Sequence, residues 1–207
     1  MRKLLTSIFG VIAFCLTLTI YNTVSALDVV FAEDRPDLRT LDPRITQSRH
    51  EEMLIVQMFD QLIAADSNGN LYPGLAKSWD VSSDGTTYTF KIREGVKFTT
   101  GNSLTGQAVV DSLKRSIFVI ELDKATARFS WVTDIVSIDA TGDMEVTMVL
   151  KNSFAPLLAI LASKQFLIVD AAELKKNEAE GDWGAAWGAT NSVGTAAFKI
   201  DSWVPEQ

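Results

Sequence analysis

The sequence has 207 residues, 47% hydrophobic and 22% charged, a composition typical of one or two globular domains that excludes a disordered tail, a collagen and a disulfide-stapled miniprotein. Its net charge of −7 argues against a nucleic-acid-binding protein, whose affinity comes mainly from Lys and Arg contacts to phosphate. The single His and single Cys leave too few ligands for a zinc site or a Cys/His nucleophile pair, so neither a metal nor a cofactor is predicted.

The first 26 residues have the three-part pattern of a cleaved secretory signal peptide. A basic start is followed by an apolar run over 4–20 and by Val24-Ser25-Ala26, which places small residues before the cut. The alternative is a membrane anchor, but a run of about 17 residues interrupted by Ser, Thr and Gly is short for a bilayer. Cys15 follows an aromatic residue inside this run, which argues against a lipid anchor. We therefore predict cleavage after Ala26 and a periplasmic location.

The next part of the chain is predicted to form a strand, a break and a helix. The apolar run 27–31 predicts a first strand, and Asp42-Pro43 breaks the chain because a residue before proline avoids helical backbone. Apolar residues at helical spacing predict a helix over 51–65, and the turn residues 67–70 end it.

Two β-hairpins are predicted from apolar residues that alternate on either side of a turn. These hairpins cover 79–92 and 134–150, with turns at 83–85 and 141–143. Helical spacing predicts three further helices. They cover 107–118, the segment from Pro156 to Leu161, and 171–179. The mature chain is therefore expected to belong to the α/β class.

Motifs that carry catalytic chemistry are few. The sequence has no glycine-rich phosphate loop and no nucleophile elbow, and His50 is predicted to be an exposed residue at a helix start. The carboxylate pairs Glu51/Glu52 and Asp139/Asp143 would suit a secreted hydrolase only if two carboxylates faced each other across a cleft. One pair lies at a helix end and the other at a hairpin turn, so we expect both to face solvent. No catalytic residue is predicted.

An ordered series of motifs runs through the chain. The segments that carry it are Leu41-Asp42-Pro43, Pro73-Gly74-Leu75-Ala76-Lys77-Ser78-Trp79, Asp84-Gly85-Thr86-Thr87-Tyr88-Thr89-Phe90, Arg93-Glu94-Gly95-Val96-Lys97-Phe98 and Val193-Gly194-Thr195. In this order and spacing they resemble the extracellular solute-binding protein family 5, the peptide- and nickel-type receptors of ABC importers. The resemblance covers about 27–207, and each motif alone would be weak.

The resemblance implies a clamshell receptor with a type II periplasmic-binding-protein-like fold, of which this chain holds the N-terminal part. The implied segments are a signal peptide 1–26, a first-lobe segment 27–48, an accessory α/β subdomain 49–190 and a truncated return into the first lobe 191–207. The implied partners are an oligopeptide-like solute and the membrane subunits of an ABC importer, with the receptor a monomer. The alternatives are a secreted carboxylate-dependent hydrolase and a non-functional gene remnant or split reading frame.

The resemblance also gives four candidates for ligand contact. These are Thr46, Gln47 and Ser48, which follow Leu41-Asp42-Pro43, and Trp131; the alternative for each is an ordinary structural residue. The other tryptophans are expected mainly in the core. Two positions depart from the family pattern and suggest decay. Gly106 lies at the start of a predicted helix, where the family has acidic residues and this chain has none. Ala196 replaces a glycine, which would strain the backbone if φ were positive there.

Overall fold

An antiparallel sheet and the helices packed on it form the body of the fold, in a computed structural model that describes residues 38–45, 48–122 and 130–202. The elements in chain order are α1 (Arg49–Met58), β1 (Ile63–Ala65), β2 (Leu71–Pro73), β3 (Ala76–Val81), β4 (Thr87–Ile92), α2 (Gly106–Leu122), a 3-10 helix (Ser130–Asp134), β5 (Ile135–Gly142), β6 (Glu145–Leu150), α3 (Leu157–Leu161), a second 3-10 helix (Lys164–Phe166), α4 (Ala171–Lys176) and α5 (Ala185–Gly188). The predicted first strand, 27–31, lies outside the described residues.

Both predicted hairpins are confirmed, and together they make a four-stranded sheet in the order β3-β4-β6-β5. Trp79 pairs with Phe90 in the first hairpin, and Ile138 pairs with Met148 in the second. Alternate residues of the central strands β4 and β6 are buried, as the period of two requires. At the first turn Gly85 has a φ of +70°, a conformation that glycine adopts without steric cost.

The helix predicted over 51–65 is shorter than expected. It ends at Met58, and the backbone of Phe59 is extended. The prediction is wrong for 59–65 because Ile63–Ala65 pairs with Leu71–Pro73 in a small antiparallel sheet. Ile63 is fully buried in this strand, and the predicted helix would also have placed this residue in the core. Pairing with the next strand along the chain therefore decided what the local spacing left open.

The other predicted helices are present with shifted ends. The helix predicted over 107–118 runs from Gly106 to Leu122. Pro156 is the N-cap of α3, as its fixed φ favours. The helix predicted over 171–179 ends at Lys176, and Asp170 caps its start by accepting a hydrogen bond from the Glu173 amide. No helix in the described ranges is both long and apolar enough to cross a membrane.

Two apolar clusters form the core. The larger cluster lies between the sheet and helices α2 and α3 and includes Phe90, Ile92, Val109, Leu113, Leu161 and Phe166. The smaller one consists of Leu41, Ile55, Met58, Phe59, Leu167, Val169, Leu174 and Val193. It therefore combines residues from both predicted first-lobe segments with residues from the predicted subdomain. We call it the joining cluster.

The segment after Val193 is held by close backbone contacts. The Thr99 amide donates to the Gly194 carbonyl at 2.8 Å, and the Thr195 hydroxyl donates to Asp60 at 2.8 Å. A Cβ on Gly194 would lie 2.0 Å from the carbonyl oxygen of Met58. This glycine is therefore required by packing, because no side-chain atom fits there.

The two departures from the family pattern have ordinary structural explanations. A Cβ on Gly106 would lie 2.8 Å from the carbonyl oxygens of Gly142 and Glu145, so a small residue suits this approach of α2 to the β5–β6 turn. Ala196 has no positive φ, and the expected strain is absent at this residue. Neither substitution marks a defect in the fold.

Candidate functional site

The ring of Phe166 contacts Trp131, one of the candidates from the sequence, and Arg44, which lies near the others in the chain. The indole ring of Trp131 lies 5.7 Å from this ring between centroids and stacks on Phe154 at 6.0 Å. The guanidinium carbon of Arg44 lies 5.4 Å from the centre of the same Phe166 ring. Arg44 lies two residues before the candidate segment 46–48. Arg44 and Trp131 thus both contact one buried aromatic ring.

Arg44 has a guanidinium group that is only partly satisfied. Nη2 donates to the carbonyl of Leu167 at 2.9 Å, whereas Nε and Nη1 are buried without a hydrogen-bond partner. Burial lowers the pKa of Arg44 to about 9; the Asp42 carboxylate opposes this change and the Arg115 guanidinium adds to it. The group therefore remains positively charged at neutral pH. Its contact with Phe166 has the geometry of a cation–π interaction.

Trp131 is a core residue with an unused donor. Its side chain is 4% exposed, and the indole Nε1 is buried without a hydrogen-bond partner. A buried donor without a partner costs about 1–3 kcal/mol, so such groups need an explanation. Arg44 and Trp131 both contact Phe166, so their unused N–H groups lie on residues around the same ring.

The position of Arg44 depends on a buried ion pair between Asp42 and Arg115. Both side chains are 1% exposed, and Arg115 Nη2 lies 2.5 Å from Asp42 Oδ2. Arg115 Nε also donates to the carbonyl of Trp183 at 2.9 Å. The same Asp42 carboxylate accepts a hydrogen bond from the Arg44 amide at 3.0 Å. The pair therefore connects helix α2 to Asp42 and Arg44, which precede the candidate segment.

Ser48 forms the N-cap of α1. Its hydroxyl accepts from the Glu51 amide at 3.1 Å, and the Glu51 carboxylate accepts from the Ser48 amide at 3.1 Å. Glu51 also accepts from the Arg39 amide and is 1% exposed, so the prediction that it faces solvent is wrong. A Ser followed three residues later by Glu is the pattern of a capping box, and this signal was available in the sequence. Thr46 and Gln47 lie outside the described residues.

Replacing Ser48 by Ala is expected to lower the free energy of unfolding by about 1 kcal/mol, because the Glu51 amide loses its acceptor. Urea unfolding followed by circular dichroism measures this change. The matched control is Ser67→Ala in an exposed turn, which should have an effect within about 0.5 kcal/mol. An equally small effect at Ser48 would show that the cap contributes little.

Sequence reasoning did not single out Arg44 or Phe166. An Arg after Asp42-Pro43 has no pattern that marks it as buried, and Phe166 follows no clear periodicity. Of the carboxylates considered for hydrolysis, Asp139 and Asp143 are exposed on the β5–β6 hairpin, and Glu52 pairs with Lys164 at 3.0 Å. Within the described part of the chain, no group of three or more His, Cys, Asp or Glu side chains is placed to hold a metal ion.

A family model and two related proteins match this chain. Residues 70–207 match the family model described as bacterial extracellular solute-binding proteins, family 5 middle. The glutathione-binding protein GsiB of Escherichia coli strain K12 is 30% identical over 181 residues, which cover 86% of this chain and 33% of GsiB. The probable D,D-dipeptide-binding periplasmic protein DdpA of the same strain is 28% identical over 181 residues, covering 85% and 34%. The chain thus spans about a third of the length of these relatives.

Solved structures show the same likeness. The periplasmic binding protein DppA of Helicobacter pylori, in complex with the peptide STSA, superposes with a TM-score of 0.67 at 25% identity, over 81% of this chain and 35% of DppA. NikA of Brucella suis, in complex with Fe(III)-EDTA, gives a TM-score of 0.66 at 27% identity, over 81% of this chain and 32% of NikA.

Proposed function

Because the chain belongs to the bacterial extracellular solute-binding proteins of family 5, we propose that it acts as part of the periplasmic solute receptor of an ABC importer. Its fold is that of part of a type II periplasmic binding protein. The solute is an oligopeptide or a similar small molecule. The names of GsiB and DdpA, and the peptide bound to DppA, support this class.

The observation that carries the proposal is the match to the family over residues 70–207, and the structure adds unused donors on residues that contact Phe166. Peptides present carbonyl and carboxylate oxygens, and Arg44 and Trp131 offer buried N–H groups without partners. Thr46 and Gln47 belong to the segment that follows Arg44, and we propose that they line the same site with Ser48. The carboxylate-dependent hydrolase has no such observation in its favour.

The domain map predicted from the sequence fits this proposal. We propose that 27–48 and 191–207 belong to the first lobe and that 49–190 is the accessory subdomain. In this map the joining cluster is the contact between them, since Leu41 and Val193 pack there with Ile55 and Leu174. The partners are the membrane subunits of the importer, and the receptor itself is a monomer.

Binding of di- to pentapeptides to the 27–207 protein tests the proposal. Ligand pockets typically enclose about 70–90% of a ligand, and the unused donors of Arg44 and Trp131 are buried and offer a ligand little contact area, so we expect dissociation constants no tighter than about millimolar. Saturation-transfer NMR should show peptide signals and no signals from monosaccharides, with the peptides recovered intact. Hydrolysed peptides would favour the hydrolase, and absence of any peptide response would contradict the receptor.

Export gives a second test. We expect the protein isolated from the periplasm to begin at Leu27, because Val24-Ser25-Ala26 places small residues at the cleavage site. N-terminal sequencing checks this start. A matched variant, Ala26→Arg, should accumulate with its leader attached. An intact Met1 in the wild-type protein, or a lipid on Cys15, would contradict the prediction.

A further inference from the structure

We propose that a cavity between the loop at 99–100 and the segment 190–202 binds a small organic cation, a molecule that carries ammonium or guanidinium groups. Its volume is about 610 Å³, within the range of about 300–1,000 Å³ that is usual for ligand pockets. None of its lining residues belongs to the group around Phe166, so this inference goes beyond the proposed function. The lining side chains that carry the argument are Thr99, Thr100, Thr190, Asn191, Lys199 and Asp201.

The hydroxyl groups of Thr99 and Thr100 have their protons committed within the protein. The Thr99 hydroxyl donates to the Ser192 carbonyl at 3.0 Å, and the Thr100 hydroxyl donates to the Asp170 carboxylate at 2.5 Å. A hydroxyl has one proton and two lone pairs, so each of these side chains has only acceptor capacity left for a ligand.

The side chains of Asn191 and Thr190 are committed in the same way. Asn191 donates both protons of its amide group, to the Trp187 carbonyl at 2.8 Å and to the Thr190 hydroxyl at 3.1 Å. Thr190 donates to the Trp187 carbonyl at 3.4 Å. The Asp201 carboxylate is acceptor-only by its chemistry. The lining side chains therefore offer mainly acceptors, and ammonium and guanidinium groups, which only donate, match them.

The charges around the cavity favour a cation as well. Asp201 lines it with an exposed carboxylate, and the Thr100 hydroxyl connects it to the Asp170 carboxylate, which is 2% exposed. The hydrogen bonds to Asp170 come from neutral donors, namely Thr100, the Asn102 side chain at 2.8 Å and the Glu173 amide at 3.1 Å. Lys199 adds one positive charge to the lining. Two carboxylates against one ammonium leave a negative balance, which attracts positive ligands.

The two sides of the cavity are fastened to each other and to the core. The Thr99 amide donates to the Gly194 carbonyl at 2.8 Å, and the Asp170 amide donates to the Val193 carbonyl at 2.9 Å. Ile200, which separates Lys199 from Asp201 in the chain, packs against the joining cluster. The acceptors are therefore held in place before a ligand arrives, which lowers the entropy lost on binding.

The test titrates the 27–207 protein with three probes that share a four-carbon backbone. Putrescine carries two ammonium groups and only donates, 1,4-butanediol donates and accepts, and succinate only accepts. The readout is the side-chain amide resonance of Asn191 in ¹H–¹⁵N NMR, assigned with Asn191→Asp. We expect putrescine to bind at least about fivefold more tightly than butanediol, because hydrogen bonds from a charged donor are about twice as strong as neutral ones. Succinate should not shift this resonance.

Three variants assign the response to the cavity. Asp201→Asn should weaken putrescine binding about two- to fivefold, the range expected for an exposed ion pair. Lys199→Gln should strengthen it about twofold, because a like charge is removed. The matched control is Asp143→Asn, at an exposed aspartate of the β5–β6 turn, which should leave the affinity unchanged. General attraction of putrescine to an acidic chain would respond equally to both aspartate variants.

Melting temperatures check that the variants fold, and Asp201→Glu, which keeps the charge, should keep the affinity for putrescine. Equal affinities for putrescine and butanediol, or an affinity that Asp201→Asn leaves unchanged, would overturn the site. Putrescine shifts confined to other resonances would place the cation elsewhere and overturn it too. No response to putrescine would overturn the site and leave the proposed receptor intact, since that proposal is tested with peptides.

Discussion

Replacing Arg115 by Met is expected to lower the free energy of unfolding by about 3–5 kcal/mol. The substitution removes from the Asp42 carboxylate, 1% exposed, the guanidinium that is hydrogen-bonded to it, and leaves the Trp183 carbonyl without its donor. Most domains of this size are stable by about 5–15 kcal/mol, so the variant should lose much of its stability at 37 °C. Urea unfolding, monitored by tryptophan fluorescence and circular dichroism, gives the change.

Two comparisons separate the buried pair from a general effect of charge. The double variant Asp42→Asn, Arg115→Met should be more stable than Arg115→Met alone, because the carboxylate that lost Arg115 is then replaced by a neutral amide. Lys77→Ala breaks an exposed pair with Glu94, where the side chains are 49% and 75% exposed, and should cost less than about 1 kcal/mol. If Arg115→Met costs no more than Lys77→Ala, the ion pair does not hold the segment around Asp42.

Replacing Gly194 by Ala is expected to cost about 3 kcal/mol, at the upper end of overpacking effects. The new Cβ would lie 2.0 Å from the Met58 carbonyl oxygen and 2.7 Å from Cδ1 of Phe59, and the first of these atoms belongs to the backbone. The segment around Gly194 must therefore move away from α1. Its hydrogen bond from Thr99 and the burial of Val193 in the joining cluster should weaken together.

Hydrogen exchange locates this effect. We expect faster exchange of the Thr99 and Asp170 amides, whose acceptors are the carbonyls of Gly194 and Val193. The matched control is Gly142→Ala, where the nearest atom would lie 3.5 Å away, an ordinary contact. Equal losses of stability in the two variants would show that the close approach at Gly194 is not what limits the substitution.

The two hairpins were predictable because the pairing within each is local, whereas the pairing of β4 with β6, which joins them into one sheet, was not predicted. Each hairpin joins strands that follow one another in the chain, and both show apolar alternation around a turn with glycine. The failure at 59–65 has a different origin, because the strand that forms there is only three residues long and is too short to show alternation. Ile63–Ala65 becomes a strand through pairing with Leu71–Pro73, and its own spacing of apolar residues is equally compatible with a helix.

The candidate site was less predictable, because its contacts join distant positions. Asp42 and Arg115 are 73 residues apart, and no periodicity indicates that an arginine within α2 is buried beside an aspartate near Pro43. Trp131 was among the candidates, but its unused N–H group becomes evident only once the packing against Phe154 and Phe166 is known. The family resemblance indicated the segment after Pro43, and the fold identified Arg44 within it.

The joining cluster also constrains when this chain can fold. Leu41 and Val193 both belong to it, so it cannot form until almost the whole described chain is available. Contacts between residues far apart in sequence form slowly, because a long loop must close first. For a protein exported as we propose, the emerging chain would pass through the membrane before this cluster closes. Late closure would keep the polypeptide competent for translocation and delay assembly of the Phe166 site until the periplasm is reached.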